Sequence, residues 1–171
     1  MKFIFIGSDH GGFELKSEIC RFLSSVPDVT IIEAGGATSP TDACDYPEVA
    51  GKVCEAVLAK SSDLGLIDET GLLFDSNLSK DAALGILVCG SGIGMSIAAN
   101  KIQNISCALV HDHYTAKMAR RHNDANVLAL GGRVVGSEVA KDAVLGFLSE
   151  VFEGGRHSRR VSSIRMSMLQ K

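Results

Sequence analysis

A cysteine directly before a glycine-rich turn is the feature of this sequence with the clearest chemical potential. The apolar run 84–88 ends at Cys89, and the turn Gly90-Ser91-Gly92-Ile93-Gly94 follows at once. A helical pattern begins near residue 94, so the turn should present backbone N–H groups and the positive end of a helix dipole. Such a loop favours the charged form of a thiol, and its N–H groups could stabilise a developing oxyanion. The segment could therefore supply both a proton-transfer base and an electrophilic cradle.

Structural interpretations of the same segment stay open at this point. Tight strand-to-helix turns use glycine for steric reasons, and a buried cysteine is more often an inert apolar residue than a base. The spacing of Gly90, Gly92 and Gly94 also fails the dinucleotide fingerprint G-x-G-x-x-G, because the third glycine arrives one residue early. The run alone does not decide whether Cys89 is catalytic.

Two further segments combine an imidazole with a carboxylate. Asp9-His10 follows the first predicted strand and could shuttle a proton or bind an anion, although Asp9 could equally cap the next helix. His122-Asn123-Asp124 ends a helix with a basic last turn, where the helix dipole alone favours a histidine. For both segments, the residues alone do not distinguish the functional role from the structural one.

Arginines are concentrated in the C-terminal third of the chain. The planar guanidinium fork binds two phosphate oxygens at once, whereas a merely solvated tail is the structural alternative. The glycines at 154–155, just before several arginines, favour a phosphate site without establishing it. The basic set comprises Arg133, Arg156, His157, Arg159 and Arg160.

The composition fits one α/β domain over residues 1–171. The chain has 18 glycines and a net charge of −3, which gives no general attraction for nucleic acid or membranes. No run approaches the ~18 apolar residues that span a bilayer. The five scattered cysteines contain no C-x-x-C pair, which argues against a cysteine zinc site or a disulfide framework and predicts a cytoplasmic protein.

Alternating strand and helix patterns predict a Rossmann-like three-layer αβα sandwich with a mostly parallel sheet of about five strands. In such sheets ligands bind at the carboxyl ends of the strands, so segments 9–12, 89–91, 111–113 and 131–133 should converge on one rim. Residues 63–83 are predicted to be a surface insertion that could hold a short strand at 64–67. The predicted strands are 3–6, 29–33, 84–89, 107–110 and 127–130, and the predicted helices are 13–23, 49–59, 94–102, 114–122, 137–152 and a basic helix near 157–168.

Six motifs, in order along nearly the whole chain, resemble those of the type B ribose-5-phosphate isomerases. This family also includes the galactose-6-phosphate isomerase subunits. The motifs are GSDHGGFELK at 7–16, DYP at 45–47, CGSGIGMSIAANK at 89–101, RHNDANVL at 121–128, GRVVG at 132–136 and EGGRH at 153–157. The insertion near 63–83 is the main departure from the family pattern.

The resemblance implies metal-independent and cofactor-free interconversion of D-ribose 5-phosphate and D-ribulose 5-phosphate, through a cis-enediolate, in the non-oxidative pentose phosphate pathway. Cys89 would be the base. One branch of the family instead uses a glutamate as the base, at the position that Met95 occupies here. Methionine cannot accept a proton, so the resemblance places this chain in the branch that uses cysteine. The alternatives are an isomerase of a six-carbon sugar phosphate such as allose or galactose 6-phosphate, and a non-catalytic phosphosugar-binding module.

The resemblance also implies a role for each site residue. Asp9 would lie at the sugar oxygens, Tyr46 would line the sugar pocket, and His122 would open the ring with Asn123 beside it. The family forms a homodimer or a dimer of dimers with shared active sites, and the partner chain is expected to supply His122, Asn123 and Arg133. The anion-hole positions are Gly90, Ser91, Gly92, Gly94 and Ser96, and Ser91 would also take part in catalysis. The phosphate-side positions are His10, Arg133, Arg156 and Arg160.

Overall fold

The computed structural model describes residues 1–67 and 81–167 and shows a parallel sheet flanked by helices. The strands are β1 Lys2–Ser8, β2 Val29–Gly36, β3 Ala82–Cys89, β4 Cys107–Leu109 and β5 Val127–Gly131, in the spatial order β2-β1-β3-β5-β4. The helices are α1 Phe13–Leu23, α2 Tyr46–Asp63, α3 Ile93–Ala99, α4 His113–Asn123, α5 Ser137–Ser149 and α6 Arg156–Ser167. Every strand pair is parallel, which confirms the predicted α/β fold.

The sheet is covered by helices on both faces because its central strands are apolar on both sides. In β1, Ile4 and Ile6 pack with α1, α4 and α5, whereas Phe5 between them packs with α2 and α3. In β3, Ile86 and Leu87 alternate in the same way. Strands buried on both faces read as continuous apolar runs, which is why these strands were visible in the sequence.

Three helices differ from their predicted bounds by three residues or more at one end or both. Helix α2 begins at Tyr46, three residues early, because Pro47 fits the first helical turn, where a missing N–H costs nothing. Helix α3 stops at Ala99 because the Asn100 side chain bonds both the end of α3 and the edge of β4, through Ser96 and Cys107. Helix α5 stops before Glu150, whose backbone is extended.

The strand predicted at 64–67 is wrong for its first half. Leu64 closes the last turn of α2 through a bond from its N–H to the Lys60 carbonyl, and Gly65 follows at φ +68°. Residues 68–80 lie outside the described chain, so the surface insertion stays a prediction.

None of the helices in the described ranges is long and apolar enough to cross a membrane.

The sheet creates a crevice between the carboxyl ends of β1 and β3. Helix α1 leaves β1 on one face of the sheet, and α3 leaves β3 on the opposite face. Neighbouring parallel strands whose helices diverge in this way form the topological switch point where open α/β sheets bind ligands. Asp9 and Cys89 lie at these two strand ends.

Candidate active site

The loop after β1 is pressed against the end of β3. The Asp9 N–H donates to the Val88 carbonyl at 3.2 Å, and Asp9 Oδ1 accepts from the Gly12 N–H at 3.0 Å. A Cβ at Gly12 would lie 2.3 Å from the Val88 carbonyl oxygen, so only glycine allows this close approach. Gly12 is the N-cap residue of α1 and no side chain in the described ranges caps the helix, so the alternative that Asp9 caps α1 is wrong. Asp9 instead fixes the loop before the helix and lies beside the end of β3, next to Cys89.

The Cys89 thiol is held by the glycine turn that follows it. Cys89 is buried, and its Sγ accepts a hydrogen bond from the Gly92 N–H at 3.1 Å. Gly92 has φ +77°, a left-handed conformation that turns this N–H back toward the sulfur and that favours glycine. The N–H is thus placed to stabilise negative charge on the sulfur.

The other cysteines of the chain are poor candidates for a base at neutral pH. Burial raises the pKa of Cys20 to about 11 and that of Cys54 to about 12. Burial likewise raises the pKa of Cys107, and it raises that of Cys44, with the Asp9 carboxylate adding to the effect. A protonated thiol cannot accept a proton from carbon.

Small residues surround the start of α3. Ser91 Oγ accepts from the Ile93 N–H at 3.3 Å, and Ser96 Oγ donates to the Ile93 carbonyl at 2.8 Å. A Cβ at Gly94 would lie 2.8 Å from ring carbons of Tyr46, so the Tyr46 ring lies against this glycine. The predicted pocket residue Tyr46 and the glycine loop therefore lie together.

Arg133 reaches the cysteine loop of its own chain. The Arg133 N–H donates to the Gly90 carbonyl at 3.0 Å, and the Gly132 N–H donates to the Cys89 carbonyl at 2.8 Å. The guanidinium lies over Gly90, 3.4 Å from the position that a Cβ there would occupy. The expectation that the partner chain supplies Arg133 is therefore wrong, because the turn after β5 is hydrogen-bonded to the turn after β3.

Three of the four segments predicted to share one rim are in mutual contact. These are segments 9–12, 89–91 and 131–133. Segment 111–113 follows the carboxyl end of the outer strand β4, which β5 separates from β3, and starts α4. There the Asp112 side chain accepts from the Thr115 N–H, and His113 Nδ1 lies 3.0 Å from Asp142 Oδ1. His10, beside Asp9, is exposed.

A second cluster of polar side chains forms around the end of α4. The imidazole rings of His122 and His157 stack with centroids 4.3 Å apart. Glu153 Oε2 lies 3.7 Å from His122 Nε2 and 3.8 Å from His157 Nε2. Burial lowers the pKa of His157, and the positive charge of His122 adds to this effect. Arg156 Nε donates to His157 Nε2 at 3.3 Å, which requires an unprotonated acceptor.

This second cluster lies at the amino ends of the strands, which is the opposite edge of the sheet from the carboxyl ends where Cys89 lies. Cys89 pairs with Gly131, whereas Val127, the first residue of β5, pairs with Gly85. Gly85 and Cys89 are four residues apart along β3, which is ~13 Å at the rise of a parallel strand. His122 ends the helix that leads into the amino end of β5. Within one chain, His122 and Asn123 therefore lie at the other end of the strands from Cys89, and Arg156 lies with them beside His157.

A buried ion-pair network holds α6, and with it the second cluster, against α4. Asp124 Oδ1 accepts from Arg120 Nη1 at 3.0 Å, and Asp124 Oδ2 accepts from Arg165 Nη2 at 2.8 Å. Sequence reasoning missed this role of Asp124, although its place directly after a helix was a signal. Glu153 was also missed, since its proximity to His122 depends on how the chain folds back.

Comparison with known proteins decides the family. The model of the family described as Ribose/Galactose Isomerase matches residues 4–74 and 73–164. The chain belongs to the ribose/galactose isomerase family. Ribose-5-phosphate isomerase B of Escherichia coli K12 is 42% identical over 164 residues, which cover 96% of this chain and 95% of that protein. The predicted family and enzyme class, an isomerase, are confirmed.

Solved structures of ribose/galactose isomerase relatives share the fold. Ribose-5-phosphate isomerase B of Clostridium thermocellum has a TM-score of 0.81 and 42% identity, and the match covers 99% of each chain. The Mycoplasma genitalium enzyme, solved with bound ribulose-5-phosphate, has a TM-score of 0.81 and 35% identity, covering 99% of this chain and 98% of that one. The roles of individual residues stay predictions.

Proposed function

We propose that this chain interconverts D-ribose 5-phosphate and D-ribulose 5-phosphate with Cys89 as the base. The observation that carries the proposal is the Cys89 thiol, held by the Gly92 N–H in a glycine turn at the switch point of the sheet. Met95, at the position of the alternative base, is fully buried in the core and has no proton to exchange. The ribulose-5-phosphate bound to the Mycoplasma genitalium relative supports this choice of substrate.

The proposed reaction moves one proton between carbons and one between oxygens. The Cys89 thiolate removes the proton from C2 of the open-chain aldose, and the electrons move into a C1–C2 double bond as the carbonyl oxygen O1 gains a proton. The thiol then returns its proton to C1, and the O2 proton is lost as the C2 carbonyl forms. Asp9, whose N–H is bonded to the Val88 carbonyl, and Ser91, in the turn that follows Cys89, are the groups proposed to carry the oxygen-bound protons.

The loop N–H groups stabilise the enediolate in this proposal. Charge develops on O1 as the C2 proton leaves and on O2 as the O2 proton is lost, and backbone N–H groups at a fixed turn are effective because they need no reorganisation. Tyr46, packed on Gly94, closes one side of the sugar pocket. Arg133, over Gly90, brings a cation to the same loop from within the chain.

The proposed working unit is a homodimer, or a dimer of dimers, with sites built from two chains. His122 and Asn123 lie at the opposite sheet edge from Cys89, so ring opening at Cys89 requires His122 of the partner subunit. An apolar groove of about 610 Å³ runs beside β4 and is lined in part by Leu109, Tyr114 and Ile164. Tyr114 is 70% exposed in the single chain, which supports burial of this face by a second copy.

The test is direct measurement of ribulose 5-phosphate formation from ribose 5-phosphate. Cys89→Ala should lower kcat by about 10³-fold or more while ribose 5-phosphate binding, measured by calorimetry, is retained. The control Cys20→Ala removes a half-buried thiol on α1 and should keep wild-type turnover.

Four results bear on the mechanism and on the alternatives. Full activity of Cys89→Ala would remove this residue from the mechanism. Tight binding of the sugar phosphate by the wild type with no turnover would favour a binding module. Faster turnover of allose 6-phosphate than of ribose 5-phosphate would change the assigned substrate, and loss of activity with a chelator would contradict a metal-independent reaction.

A further inference from the structure

The cluster formed by His122, Glu153 and His157 has the composition of a zinc ligand set. Each residue offers one ligand atom, and these atoms all lie within 4.8 Å of one another. Two imidazole nitrogens and one carboxylate oxygen form a combination that zinc takes with one coordination position left open. Magnesium and calcium prefer sets made of oxygen atoms. We propose that this cluster binds a zinc ion, which places the ion on the histidine assigned to ring opening.

The distances in the cluster are close to those of a tetrahedral zinc site. With zinc–ligand distances of about 2.0–2.2 Å, neighbouring ligand atoms lie roughly 3.3–3.5 Å apart. Glu153 Oε2 is 3.7 Å from His122 Nε2 and 3.8 Å from His157 Nε2. The rings stack with an interplanar angle of 6°, so their in-plane lone pairs run parallel in the metal-free chain. Both rings must turn out of the stack to direct their Nε2 atoms at one ion beside Glu153 Oε2.

Contacts around the cluster hold its backbone in place. The Glu153 N–H donates to the Arg121 carbonyl at 2.9 Å, which ties the loop before α6 to the end of α4. The Arg121 side chain binds Glu153 Oε1, with its Nε at 2.6 Å, and leaves Oε2 directed at the two histidines. The side chains of His122 and Glu153 are about one-third exposed, at 34% and 35%, so an ion can reach them from solvent.

One contact competes with the ion. Arg156 Nε donates to His157 Nε2 at 3.3 Å, and zinc must replace this donor. The same hydrogen bond shows that His157 Nε2 carries a free lone pair, which a metal ligand needs. Removal of the Arg156 guanidinium should therefore tighten zinc binding, whereas a purely structural cluster would have no such response.

The consequence for catalysis rests on the proposed function, whereas binding itself does not. Zinc on His122 Nε2 would withdraw the imidazole from proton transfer. The chain would then be an isomerase that needs no metal but is reversibly inhibited by zinc, with inhibition relieved by a chelator.

The binding test uses the full chain without substrate. Metal-free protein is titrated with zinc chloride in competition with a chromophoric chelator. The wild type should bind one zinc ion per chain at this site, and Glu153→Gln and His157→Gln should each bind it at least tenfold more weakly. Arg156→Gln should bind it more tightly. The matched control is His113→Gln, which removes an imidazole paired with one carboxylate and should leave zinc affinity unchanged.

Wild-type zinc affinity in both Glu153→Gln and His157→Gln would overturn the proposal. A loss in His113→Gln equal to that in His157→Gln would overturn it as well. Cobalt(II) provides a second measurement that does not depend on Glu153→Gln folding correctly. The wild-type complex should show the visible bands of a tetrahedral site, absent in His157→Gln. A thiolate charge-transfer band that persists in His157→Gln would place the ion on a cysteine and contradict the site.

The two proposals fail in different ways. Zinc binding is measured without turnover, so its absence leaves the isomerase assay unaffected, and an inactive wild type leaves the zinc titration unaffected. If both hold, zinc should inhibit the wild type and leave His157→Gln at its own uninhibited rate.

Discussion

Two inactive variants of this protein should restore activity when they are combined. Cys89 lies at the carboxyl edge of the sheet and His122 at the amino edge, at least ~13 Å apart along the strand direction. If each site takes Cys89 from one subunit and His122 from the other, Cys89→Ala and His122→Ala each damage both sites of their own homodimer. A mixed dimer instead has one site with both groups intact and one site with neither.

The size of the recovery follows from counting. Random reassociation of equal amounts gives mixed dimers in about half of the population, and one of the two sites in each is complete, so about a quarter of wild-type activity should return. A dimer of dimers gives the same fraction when each site is shared by one pair. A site contained in one chain gives no recovery, because each chain would still lack one of the two groups.

The assay is ribulose 5-phosphate formation after the two variants are unfolded together and refolded, or co-expressed with different tags and purified through both. Doubly tagged dimers should show about half of wild-type activity per chain. The control combines two differently tagged Cys89→Ala chains and should stay inactive. Activity no greater than the average of the two separate variants, in a sample shown to contain mixed dimers, would refute the shared site.

Two other substitutions test the contacts of the site and of its support. Gly94→Ala places a methyl group 2.8 Å from the Tyr46 ring. Tyr46 is 41% exposed, so its ring can move away from the methyl group with little change in Tm. The displaced ring should lower kcat/KM roughly tenfold to a hundredfold. A further loss of similar size on adding Tyr46→Ala would contradict this coupling. Asp124→Asn leaves the buried Arg120 guanidinium without its carboxylate and should lower the free energy of unfolding by about 3–5 kcal/mol in urea. Glu138→Gln, which breaks an exposed pair, should change it little, and equal losses in these two variants would contradict the argument.

The sequence was sufficient for the fold because most of the fold's signals are local. The central strands are continuous apolar runs, and the glycine turn after Cys89 marks the passage from strand to helix. The errors lie at element ends, where distant contacts decide. Asn100, for example, ends α3 early because its amide bonds the edge strand β4.

For the candidate site, too, the sequence determined one part and the tertiary structure decided the other. Residue types and motifs in the sequence determined the set of chemical groups and the family, since a thiol, a carboxylate, two histidines and several arginines are visible at fixed positions. Their grouping was decided only by the tertiary structure. The turn after β5 is hydrogen-bonded to the turn after β3, so Arg133 joins Cys89 within one chain, against the prediction. Helix α4 carries His122 to the far edge of the sheet, where Glu153 and His157 meet it. Such proximities depend on strand register and on how helices pack, and neither is encoded in the spacing of residues along the chain.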